Sequence, residues 1–133
     1  MKSHWSLVLL RIAAVLAALI ALYQLFTGFG WAGPWPLHPR MGEATTTFAA
    51  IGAIAAFIWS RQSGNQGLLW HALGMTLFGV LQIVLGHMHL TLVHQIFGVI
   101  YLIGIIALAT LAFRKPGAAR TVDAPVGAPV DHR

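Results

Sequence analysis

The chain reads as an all-α integral membrane protein, an up-down bundle of four transmembrane helices, and three observations predict it. Of its 133 residues, 58% are hydrophobic and only 8% are charged, too few charges to build a water-facing surface. The apolar residues gather in four runs, each close to the roughly 20 residues that cross about 30 Å of hydrocarbon. The breaks between the runs differ in chemistry, so each run ends where a distinct loop begins.

The predicted spans are about Leu7–Thr27, Met41–Trp59, Leu68–Gly86 and Leu92–Phe113. The first run follows Lys2 but is longer than the apolar core of a signal peptide, and no small-x-small cleavage site precedes the loop after it. It is therefore taken as helix 1. Phe29–Pro36 is rich in Gly and Pro and must be a loop, while Ser60–Gly67 is polar and contains Gly. The break at Gly86–Thr91 is short, which makes helices 3 and 4 an antiparallel hairpin. Residues 1–115 thus form one bundle. From Pro116 to the end, Ala, Pro, Gly and Val dominate without periodicity, and a disordered cytoplasmic tail over 116–133 is expected.

Lys2, Arg11, Arg61, Arg114, Lys115, Arg120 and Arg133 fall on one side of this arrangement and only Arg40 on the other. The positive-inside rule then places both termini in the cytoplasm of a cell whose plasma membrane holds the bundle. All five tryptophans lie near predicted helix ends, where an amphipathic ring suits the headgroup layer. The formal charge of +5 is scattered over helix ends rather than gathered in a basic patch, which argues for topology and against nucleic acid. With no cysteine, disulfides and thiolate chemistry are excluded. No Ser–His–carboxylate set, phosphate loop or paired carboxylates occur, which argues against hydrolysis and phosphoryl transfer. Glu43 is the one acid within the spans and no span is broken by Gly or Pro in its middle, so an ion-coupled transporter or pore has little to stand on.

A two-helix repeat runs through the chain. Gln24-Leu-Phe-Thr-Gly28 closes helix 1 and Gln82-Ile-Val-Leu-Gly86 closes helix 3; His38-Pro-Arg-Met-Gly42 opens helix 2 and His94-Gln-Ile-Phe-Gly98 opens helix 4. Four histidines, His38, His87, His89 and His94, gather at the end opposite the positive termini, while His4 and His71 lie at the other end and His132 in the tail. Ionisable side chains at membrane depth are costly enough to mark functional sites. Residues four apart share a helix face, so Gly42 lies beside His38 and Gly98 beside His94. A planar macrocycle between two helices needs that combination of an axial nitrogen from each side and no Cβ where the ring passes. The competing explanation is that interfacial histidines bond loop carbonyls and the glycines let helices pack closely.

Gln24 and Gln82 suit bridging between helices or a hydrogen bond to a cofactor. Arg40 and Glu43, three apart on helix 2, can pair on the surface, or Arg40 can meet an anionic group such as a haem propionate. Thr45, Thr46 and Thr47 should bond back to helix carbonyls, Tyr101 should pack in the core or line a pocket, and His87 and His89, in the turn, should cap it or line its entrance.

The stretch Gly79–Gly86, followed by Val93-His-Gln-Ile-Phe-Gly98 and an apolar helix ending at Arg114, resembles the third and fourth helices of a haem A synthase half; Gly33-Pro-Trp-Pro-Leu37 resembles that family's segment after helix 1. The family is built from two four-helix halves that hold haem between histidines of the second and fourth helices, near the outer face. The chain is the size of one half. The resemblance implies a half-size relative that binds haem b through His38 and His94, with Gly42, Gly98, Arg40 and Gln82 around it. Electron transfer or haem handling would follow, with the bilayer, a redox partner or larger complex, and a second copy of the chain as the partners this class admits. The rival is a cofactor-free accessory subunit of a larger membrane complex.

Overall fold

The computed structural model describes residues 4–31 and 37–120. It is all-helical: α1 (Trp5–Gly28), α2 (Leu37–Ser63), α3 (Gln66–His87) and α4 (Thr91–Arg114). All four are long and apolar enough to cross a membrane, since even the shortest, at 22 residues, extends roughly 33 Å at 1.5 Å per residue.

Each helix outruns its apolar stretch, because backbone hydrogen bonding continues past the residue where the side chains turn polar. The largest difference is in α2, expected over Met41–Trp59. It starts four residues earlier, taking His38 into its first turn, and ends four residues later. Pro39 is accommodated there because the first-turn N–H groups have no intrahelical partner. The polar break after α2 shrinks to Gly64 and Asn65: Gly64 takes φ +77°, a conformation glycine adopts without a Cβ penalty, and Asn65 caps α3 by accepting from the Leu68 N–H at 3.2 Å. Met88, His89 and Leu90 join α3 to α4, with His89 itself at φ 55°.

α1 packs on α2 and α4, and α3 packs on the same two helices, so the bundle is a ring in which α2 faces α4 across the centre. The buried faces of α1 and α2 are mostly Ala and Gly: Ala13, Ala14, Ala17 and Ala21 on one, Ala49, Gly52, Ala53 and Ala56 on the other. Such residues let backbones approach closely where no hydrophobic force drives helices together. α3 and α4 bury larger groups, among them Met75, Leu102, Ile105 and Leu108. The outward faces are apolar all round, with Leu19 59%, Ile54 63%, Leu77 70% and Ile103 63% exposed.

The described basic residues Arg11, Arg61, Arg114, Lys115 and Arg120 gather at the end where α1 begins and α4 finishes, and Arg40 stands at the other; Lys2 and Arg133 lie outside the described residues. Arg11 Nε donates to the Ala112 carbonyl at 3.0 Å, and its guanidinium lies 5.0 Å from the centre of the Phe113 ring. Two expectations need correction here. Residues 116–120, expected to be disordered, lie across this end: the Pro116 carbonyl accepts from Trp59 Nε1 at 2.6 Å and Asn65 Nδ2 at 3.1 Å, and the Arg120 N–H donates to the Gln62 carbonyl at 2.8 Å. The rest of the expected tail, 121–133, lies outside the described residues. Trp59, expected in the headgroup layer, is buried as part of the core; Trp5, Trp31 and Trp70 are exposed at helix ends, and Trp35 lies outside the described residues.

Candidate functional site

At the end opposite the clustered basic residues, His38 on α2 and His94 on α4 meet across the centre of the ring. Their Nε2 atoms are 3.5 Å apart, with ring centroids 5.8 Å apart and planes at 80°. Each imidazole is held from behind through Nδ1. His94 Nδ1 lies 3.0 Å from the Gln82 carbonyl, which only accepts, so this nitrogen carries the proton. His38 Nδ1 lies 2.9 Å from Thr27 Oγ1, whose own proton is directed 3.1 Å to the Gln24 carbonyl. The Thr27 hydroxyl thus holds His38 from behind whichever ring nitrogen carries the proton. The two Nε2 atoms approach within hydrogen-bond distance across the centre of the ring.

The repeated Gln-x-x-x-Gly and His-x-x-x-Gly motifs explain how the rings are seated. A Cβ on Gly28 would lie 3.1 Å from His38 Cε1, and one on Gly86 would lie 3.5 Å from His94 Cε1. Each imidazole therefore packs against the last turn of the preceding helix, tightly at Gly28 and at ordinary contact distance at Gly86. Gly42 and Gly98, expected to clear space beside the imidazoles, do so in part: both line a cavity of about 380 Å³ that the histidine pair also lines. But the group nearest Gly42 is the Gln24 amide, 3.1 Å from where a Cβ would be, and Gly98 faces Gln82 Oε1 at 3.9 Å. The first of these is also a helix-packing contact.

Gln24 spans α1 and α2, donating from Nε2 to the His38 carbonyl at 3.3 Å and lying 3.2 Å from the Thr45 hydroxyl. The three threonines bond back to the carbonyls of Met41, Gly42 and Glu43 as their type predicts. Gln82 is buried and lines the cavity, as does Tyr101. Arg40 is exposed, lines no part of it and makes no ion pair with Glu43, which stands at its edge. His87 and His89 also border the cavity; His87 Nδ1 is turned back to the Ile83 carbonyl at 2.8 Å. His4 and His71 stand apart, against Trp59 and the Gly104 carbonyl respectively, and His132 lies outside the described residues. Sequence reasoning did not assign Thr27, Gly28 and Gly86 to the site, although the Gln-x-x-x-Gly repeat pointed to the glycines.

Among the described residues no three His, Asp or Glu side chains converge as a metal-binding group. Two nitrogens on opposed helices suit a metal that brings its own equatorial ligands better than a bare ion. Comparison with family models, with curated proteins and with solved structures finds no match.

Proposed function

We propose that the chain crosses the plasma membrane four times with both termini in the cytoplasm, and binds one b-type haem between His38 and His94 near the outer face for electron transfer or haem handling. The observation that carries the reading is the 3.5 Å approach of two Nε2 atoms on helices that otherwise face each other across the ring. Iron–nitrogen bonds of about 2 Å place two axial nitrogens roughly 4 Å apart, a small separation from the distance seen. Both histidines line the cavity, and its volume is in the range of small-molecule and cofactor sites.

A haem held this way supplies one-electron chemistry at a potential set by its ligands and surroundings. The protein's part is positional. Thr27 and the Gln82 carbonyl hold the two Nδ1 atoms and so turn both Nε2 atoms inward, Gly28 and Gly86 lie against the rings, and the apolar wall limits water. The membrane reading rests on four apolar helices with apolar outward faces, and its orientation on the basic residues gathered at one end.

The test is the visible spectrum of full-length protein purified in detergent with haem supplied. A low-spin six-coordinate spectrum, lost in His38→Ala and His94→Ala, is expected. A protein that takes up no haem leaves the cofactor-free subunit of a larger membrane complex as the better account.

A further inference from the structure

The two hairpins share a skeleton, and one position breaks it. Stepping 56 residues takes His38 to His94, Gly42 to Gly98 and Thr45 to Tyr101. In the first hairpin the Gln24 amide is engaged on both sides, by the His38 carbonyl and the Thr45 hydroxyl. In the second, the corresponding Gln82 amide has no hydrogen-bond partner at Nε2 or Oε1, and the Tyr101 hydroxyl has none either. Both side chains are at least nine-tenths buried, with 9% and 5% exposure, and both line the cavity. Native interiors rarely leave such atoms without a partner, and here all three belong to residues that line one cavity.

We infer that Gln82 and Tyr101 form an uncharged hydrogen-bonding subsite on the α3–α4 side of the cavity, which selects a flat, apolar ring carrying a carbonyl or hydroxyl oxygen on the edge that faces them. Gln82, whose carbonyl meets His94 Nδ1, turns its Oε1 toward Gly98 one turn beyond that histidine, and Tyr101 is seven residues beyond His94, about 10 Å further along α4. An amide and a phenol can together donate and accept, which matches a neutral oxygen and offers no counter-charge to a carboxylate. The inference rests on the cavity of the preceding reading but not on iron, and the oxygen can belong to the macrocycle or to a separate ring such as a quinone.

The experiment uses full-length protein in detergent and two iron porphyrins that differ only in two ring substituents, mesohaem with ethyl groups and diacetyldeuterohaem with acetyl groups, followed by absorbance. A short-chain quinone, decylubiquinone, is titrated separately by calorimetry. If the oxygen belongs to the macrocycle, the acetyl compound binds about tenfold more tightly, and Gln82→Leu abolishes that preference. Tyr101→Phe, which removes a single oxygen and preserves the ring, lowers it. If the oxygen arrives on a separate ring, the quinone binds and Gln82→Leu removes its binding. Equal affinity for the two porphyrins together with no Gln82-dependent quinone binding overturns the inference and leaves Gln82 and Tyr101 to water. Absence of any histidine-dependent porphyrin spectrum overturns the haem proposal instead, and the quinone titration still decides the subsite.

Discussion

The hairpins α1–α2 and α3–α4 place the same residues at four matched positions around the same kind of imidazole seat, yet one is packed by alanines and the other by bulky side chains. In the first, Gln24 ties the amide, the backbone and the Thr45 hydroxyl into one network, and the helices approach through Ala and Gly. In the second, Tyr101 occupies the position of Thr45, and neither its hydroxyl nor the Gln82 amide makes a hydrogen bond. A repeat can thus conserve ligand placement while one copy gives up its internal hydrogen bonds to face the cavity. The difference is testable copy by copy.

The largest expected effect tests what the copies share. Either His38→Ala or His94→Ala should remove bis-imidazole absorbance, because one axial nitrogen does not replace two; retention of the parent spectrum in either variant would break the equivalence. Next come the glycines one turn inward. Gly98→Leu should block haem uptake in a protein that remains folded, since a Cβ there has 3.9 Å of room and the longer side chain enters the cavity. Gly42→Leu should instead displace Gln24 and destabilise the bundle by about 1–3 kcal/mol, as overpacking does elsewhere; melting in detergent, alongside absorbance per folded protein, separates the two.

A comparison within α3 sharpens the packing side. A Cβ on Gly79 would lie 2.7 Å from Thr46 Oγ1, whereas one on Gly74 would meet nothing within 4 Å. Gly79→Ala should lower the melting temperature by an amount equivalent to about 1–3 kcal/mol, and Gly74→Ala should leave it unchanged or raise it. The smallest effect belongs to the imidazole seats. Gly28→Ala should perturb the spectrum more than Gly86→Ala, since the added carbon meets the ring at 3.1 Å in one and 3.5 Å in the other. For orientation, Gln66→Cys, exposed at the start of α3, should resist a membrane-impermeant maleimide applied to intact cells; ready labelling would invert the proposed sidedness.

Four helices were legible in the sequence because lipid-length apolar runs admit little else, and the His38–His94 approach was legible because matched spacing puts both residues at the start of helices running the same way. The limits of α2 were not, since hydropathy marks where side chains become polar and helical hydrogen bonding continues beyond it. The inward turn of Trp59 was hidden because a tryptophan near a helix end reads the same whether it faces headgroups or a carbonyl such as that of Pro116. Thr27 escaped notice because its role is a contact with the His38 ring on another helix, which the spacing of residues along one helix does not reveal.

The contact between Arg11 and the Ala112 carbonyl bears on assembly in time. Helices emerge in order during synthesis, and α1 lacks one flank of its packing until α4 arrives to close the ring. The guanidinium that joins the first helix to the last therefore finds its acceptor only after the fourth helix has been made. His38, carried by the early hairpin, likewise meets His94 only at that late stage. A nascent chain halted before α4 would have two or three helices in place and no second nitrogen to offer, so completion of the pair coincides with completion of the bundle.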